Sequence, residues 1–227
     1  MKQLDSDEKY KKILIIGCGR SGTLYSAEIF RALGLDIHHE RDRAAGQPRG
    51  RDGFASWFLT VDDPQPPFGP NADGCQFEYI LHQVRDPLKV IPSFAQFILQ
   101  KGQKSCAFLE KHLPELKAGI DDSDLSLKEK LILQSSRYWY HWNLLAEKKA
   151  TETIRVEKLD IILPRLSADL GIDYHPESIN KISRETNQRG LYIADPPWII
   201  DWKYIERLDP RLHDQIRALA ARYGYNV

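Results

Sequence analysis

Ile13-Leu14-Ile15-Ile16-Gly17-Cys18-Gly19-Arg20-Ser21-Gly22-Thr23 is an apolar run that stops at glycine and then presents one cation and two hydroxyls. The four aliphatic residues before Gly17 have the length of a buried strand. Beyond Gly22, the apolar residues Leu24, Ala27, Ile29, Phe30 and Leu33 follow helical spacing, and Gly34 stands where a C-cap glycine belongs. A strand, a glycine-rich turn and a helix start in that order aim backbone N–H groups and the positive end of a helix dipole at one point. That arrangement suits a phosphate or sulfate. Gly17, Gly19 and Gly22 permit close backbone approach, Cys18 reads as a small residue tolerated in a tight turn, and Arg20, Ser21 and Thr23 bring the polar side chains.

Two other phosphate loops fit this stretch incompletely. Gly17 and Gly22 have the separation of the nucleoside triphosphatase loop, but Thr23 stands where that loop needs lysine, and the cation sits earlier, at Arg20. Gly17, Gly19 and Gly22 also match the dinucleotide spacing. There, however, Arg20 and Ser21 fill the gap with a charge and a hydroxyl, and no clear ribose-binding acid follows, since Arg41, Asp42 and Arg43 form a charged run.

Working outward, a second strand is expected over Leu35 to His38, a third over Phe77 to Val84 and a fourth over Thr153 to Glu157. Phe54 to Val61 has enough apolar weight to be partly buried, and the proline-rich stretch from Asp62 to Gly74 reads as a surface loop. Asp86-Pro87 offers an N-cap and a first helical position, with a kink or restart expected at Pro92. Ser126-Leu127-Lys128-Glu129 is a capping box, and Leu127, Leu131, Tyr138, Trp142 and Leu145 then recur on one face out to about Lys149. Leu159 to Leu170 continues as a helix closed by Gly171, and Asp209-Pro210 begins a last one carrying Leu212, Ile216, Leu219 and Tyr223. Strands alternating with helices predict a three-layer α/β/α domain with a mainly parallel central sheet and a P-loop-type turn. The expectation is one domain over residues 1–227, with 1–12 as a charged, loosely ordered tail.

Lys plus Arg and Asp plus Glu both number 32 in 227 residues, so no net field attracts nucleic acid or an anionic membrane. Any anion site must be built locally. The N-terminal residues are charged and no apolar run reaches membrane-spanning length, which reads as a soluble cytoplasmic protein. The three cysteines, Cys18, Cys75 and Cys106, make neither an even disulfide set nor a metal cluster, so no metal is expected.

A second anion site is expected at the end of the third strand, where Arg85 is followed eight residues later by Ser93. In open α/β sheets ligands bind at the carboxyl ends of the strands, the edge from which the first loop also emerges. Arg20-Ser21-Gly22-Thr23 after a strand, with Arg85 and Ser93 at this spacing, resembles the sulfotransferases that use 3′-phosphoadenosine 5′-phosphosulfate. Looser similarity to the bacterial and glycan-sulfating branch runs through Glu40, Ser56-Trp57, Trp142-Asn143, Arg155-Val156-Glu157 and the closing Ala220 to Tyr225. The resemblance implies that the loop Cys18 to Thr23 grips the 5′-phosphosulfate, that Arg85 and Ser93 grip the 3′-phosphate, and that Arg189 is a further candidate for it. It also implies adenosine 3′,5′-bisphosphate as product, with a carbohydrate or small hydroxyl compound as acceptor. The chain departs from the cytosolic branch in having Arg20 where those members have lysine, and Leu24 where many relatives have a second hydroxyl.

For the proton acceptor, His38, His39 and Glu40 follow the second strand, and either residue type can take a proton at neutral pH. Glu40 is favoured, because the glycan-sulfating relatives use a carboxylate and His38 reads as the strand's last residue. His82, inside an apolar strand, reads as a core histidine. Trp57, Trp139, Trp142 and Trp198 are candidates for an acceptor cleft, with core packing the safer reading for Trp142. Two other functions share these features: a P-loop kinase or nucleoside triphosphatase, and a non-catalytic module that binds adenosine bisphosphate or a glycan.

Overall fold

The computed structural model describes residues 9–42, 46–120, 124–182 and 197–227. Among them, five strands form one sheet: β1 (Tyr10–Gly17), β2 (Ile37–His39), β3 (Gly53–Ala55), β4 (Gln76–Val84) and β5 (Glu152–Arg155). The helices are α1 (Thr23–Ala32), α2 (Pro87–Lys101), α3 (Gln103–His112), α4 (Leu127–Lys149), α5 (Leu159–Asp169), α6 (Pro176–Ile179), α7 (Trp202–Leu208) and α8 (Pro210–Arg222). The strand order is β2-β3-β1-β4-β5, every pairing is parallel, and helices flank the sheet as a three-layer α/β/α fold.

Alternation along β1 assigns the layers. Ile13 and Ile15 pack with Phe30 of α1 and with Leu159 and Leu163 of α5, whereas Leu14 and Ile16 face Leu59 and Ala146 of α4. All four are essentially inaccessible, which is why they read as one apolar run and not as an alternating one. The larger cluster joins α2, α4, α7 and α8 around Tyr138, Trp139 and Trp142.

Several boundaries differ from the sequence reading. Strand β1 begins at Tyr10, because Lys11 pairs with Phe77 of β4, so residues 10–12 belong to the sheet and not to a tail. A fifth strand, β3, lies where only a partly buried segment is expected. Three residues beginning with glycine carry little strand signal, and the ladder is set by pairing of Phe54 with both Leu14 and His38. Helix α2 runs through Pro92, and the break falls at Gly102 instead. The capping box at Ser126 forms in both directions, yet Leu127 is 63% exposed; the buried stripe of α4 starts at Leu131.

Candidate functional site

Strand β1 occupies the middle of the sheet, with β3 on one side and β4 on the other, so the turn after it stands at the topological switch point. The backbone there is unusual. Gly17 has φ +148°, Gly22 has φ +97° and Arg20, with φ +74°, is the one non-glycine residue with positive φ among the described residues. A Cβ on Gly17 would lie 2.2 Å from the Gln83 carbonyl oxygen, and one on Gly22 would press on Val156 and on the Gln83 amide. Left-handed backbone at a residue with a long side chain costs on the order of 1 kcal/mol and persists where neighbours hold it.

Here the neighbours are identifiable. Gln83 donates from Nε2 to the Ser21 carbonyl at 2.7 Å and accepts a hydrogen bond from the Ser26 hydroxyl, tying the turn to the first turn of α1. Arg85 Nη1 donates to the Arg20 carbonyl at 3.3 Å, and Ser21 N–H closes onto the Cys18 carbonyl at 3.1 Å. From below, Tyr138 of α4 presents its hydroxyl oxygen to Gly19 N–H at 2.6 Å. Gln83 and Tyr138 carry no signal in the sequence, since one lies inside an apolar strand and the other on a core stripe.

The residues expected to bind anions meet. Arg20 Nε donates to Ser93 Oγ at 3.0 Å, so the cation of the turn after β1 reaches the hydroxyl of the second motif, which follows β4. Trp139 Nε1 donates to the Arg85 carbonyl at 3.3 Å and fixes the end of β4. The Ser21 hydroxyl is buried and has no partner among the described residues, which fits a ligand oxygen. Thr23 opens α1, whose first N–H groups have no intrahelical acceptors. Arg155 ends β5 opposite Val84 and stacks on the Tyr225 ring at 5.1 Å, so a third guanidinium stands on this edge. Arg189 lies outside the described residues, and among the described residues no group of acidic, histidine and cysteine side chains is arranged to hold a metal ion.

No family model matches the chain, and no curated protein matches it.

The second group of candidates sits beside Thr23. His39, and not His38, is the last residue of β2, and its Nε2 lies 3.1 Å from Thr23 Oγ1 and 3.5 Å from Glu40 Oε1. Burial holds the imidazole down to about 3, with the Arg31 and Arg41 charges acting in the same direction. Glu40 is 12% exposed, and its Oε2 is buried without a hydrogen-bond partner among the described residues. Burial pushes this carboxyl up to about 7, against a hydrogen bond from Ser56 that works the other way. Gly69, in the proline-rich loop, packs directly on the Glu40 Cα and Cβ, so that loop lies beside this residue. Trp57, Trp139 and Trp142 are buried in the core and do not line an open cleft; of the four tryptophans expected there, Trp198 is the partly accessible one. His82 is a satisfied core histidine, bonded to Thr153 Oγ1 and Asn143 Oδ1 at 3.0 Å each.

Proposed function

We propose that the protein is a sulfotransferase that moves a sulfuryl group from 3′-phosphoadenosine 5′-phosphosulfate to the hydroxyl of a carbohydrate or other small hydroxyl compound. The observation that carries this reading is the Arg20–Ser93 hydrogen bond, with Arg85 on the Arg20 carbonyl: residues 65 and 73 positions from Arg20 in sequence, expected to hold the second phosphate, meet the first loop. The Ser21 hydroxyl, without a partner among the described residues, and the left-handed turn fit a phosphosulfate, and Thr23 stands where a nucleoside triphosphatase loop has its phosphate-binding lysine.

The nucleotide supplies an activated sulfuryl group when bound. Ser21, Gly22 and Thr23 orient it with hydroxyl and backbone donors, while Arg85 and Ser93 grip the second phosphate. As the acceptor oxygen forms its bond to sulfur, the bond from sulfur to the bridging oxygen breaks and its electron pair leaves with the phosphate. Arg20 faces that developing charge with a guanidinium that stays protonated and is therefore an electrostatic stabiliser and not an acid. The acceptor's proton passes to the Glu40 carboxylate, whose position near 7 suits a base working at neutral pH.

Calorimetric titration with adenosine 3′,5′-bisphosphate, beside ATP with magnesium, tests the reading on the wild type and on Arg85→Ala. Magnesium-independent binding of the bisphosphate that weakens about 10- to 150-fold in the variant is expected, the scale of a lost charged hydrogen bond. Preferential binding of ATP with magnesium would turn the reading toward a kinase. Binding unchanged by Arg85→Ala would remove its main support.

A further inference from the structure

We infer that His39 is a positioning residue: its Nε2–H is held on the Thr23 hydroxyl oxygen, which turns the Thr23 proton into the anion loop and leaves proton exchange with the acceptor to Glu40. The inference rests on the reading of residues 17–23 as an anion loop.

The geometry assigns the tautomer. Arg41 N–H points at His39 Nδ1 at 3.2 Å, and a backbone N–H can only donate, so Nδ1 must offer its lone pair. A neutral ring then carries its proton on Nε2, which faces Thr23 Oγ1 at 3.1 Å. A hydroxyl has one proton and two lone pairs, so with one lone pair taken by the imidazole its proton is free for another acceptor. Thr23 is the first residue of α1, a helix start without a side-chain cap whose opening N–H groups suit an anion, so a ligand oxygen there is the acceptor for this proton.

The surroundings keep the ring neutral and in place. His39 is 2% exposed and the charges around it come from two elements. Arg31 of α1 is cationic, and Arg41 and His38 flank it on its own strand and loop. The nearest aspartate, Asp42, is committed elsewhere: its Oδ2 accepts from His39 backbone N–H at 2.7 Å and pairs with Arg31. Glu40 Oε1, at 3.5 Å, is the carboxyl oxygen that faces the ring nitrogen, and Ser56 approaches Glu40 from the end of β3. A base at Nε2 would have to lose the proton that Thr23 uses, and a base at Nδ1 would have to displace the Arg41 N–H.

Nitrogen-15 spectra of the histidine rings of the wild-type protein, from about pH 5 to about pH 9, decide the tautomer. The expected spectrum shows His39 as the neutral Nε2–H form throughout. Titration of His39 near the ordinary histidine value, or an Nδ1–H form, would overturn the inference. Variants supply the functional readout with adenosine 3′,5′-bisphosphate as probe. His39→Gln, which can place an amide N–H near the Nε2 position, is expected to keep affinity within about 3-fold, whereas His39→Ala and Thr23→Val each lose about 10-fold or more. In turnover, His39→Gln is expected to keep the acid limb of the pH profile; disappearance of that limb would make His39 the base and refute the assignment. Failure of the wild type to bind the bisphosphate would refute the nucleotide reading alone, because the ring spectrum still decides the tautomer.

Discussion

Glu40→Gln tests the electrostatics of the site without any assumption about substrate. Burial raises the carboxyl from its ordinary 4.5 to about 7, so between these values the folded protein binds a proton that the unfolded chain releases. Stability must therefore fall as pH rises through that window, and the whole cost is present above it. At about 1.4 kcal/mol per pH unit the cost comes to about 3 kcal/mol. Glutamine removes the titration, so relative to wild type the variant should gain about 3 kcal/mol on passing from about pH 4.5 to about pH 8.5. The absolute gain will be smaller. The new amide N–H₂ sits where Oε2 has no partner among the described residues, and an unsatisfied buried donor costs about 1 to 3 kcal/mol. That offset does not depend on pH, so the difference between the two pH values is the diagnostic quantity. Urea unfolding of both proteins across this range, with unchanged m-values, measures it. A wild-type-to-variant difference that stays constant with pH would refute the assignment of a buried, raised carboxyl. If the proposed chemistry holds, the same variant loses turnover while becoming more stable at alkaline pH, the trade-off expected of a strained site.

Three other outcomes follow from the geometry. His39 and His82, held by burial down to about 3 and about 4, remain neutral in the fold while the unfolded chain takes up protons below about 6.5; stability should fall on acidification through that window, and replacing His82 with glutamine should shallow the slope measured by urea midpoints. Gly17→Ala sets a methyl 2.2 Å from the Gln83 carbonyl oxygen, so it should destabilise by about 2 kcal/mol or more and abolish bisphosphate binding in calorimetry; a variant with wild-type melting and binding would contradict the described turn. Tyr138→Phe strands the buried Gly19 N–H and should cost about 1 to 3 kcal/mol in thermal or urea unfolding, with weaker bisphosphate binding because the loop loses its floor.

The glycine-rich stretch carried its own reading because its conformation is local. Glycines at 17 and 22 permit positive φ wherever they stand, an apolar run before them has to be buried, and Asp86-Pro87 and Ser126 to Glu129 are caps formed by residues within one turn of each other. The class of fold and the glycine-rich turn after β1 were therefore legible in the order of residues. Strand β3 was not, because three residues gain their conformation from β1 and β2 on either side. The last residue of β2 shifted from His38 to His39 for the same reason: register is set by the neighbouring strand. Leu127 looked like core by spacing and lies exposed, since periodicity identifies a face but not how far the partner helices extend along it. At the site, the sequence by itself determined which residue types could hold an anion. Only the tertiary structure decided that Arg20 meets Ser93, that Gln83 and Tyr138 brace the turn, and that Glu40 is buried while His39 is held neutral against Thr23. Those are contacts between separate strands and helices, and desolvation depends on every element packed around a group, which no local pattern encodes.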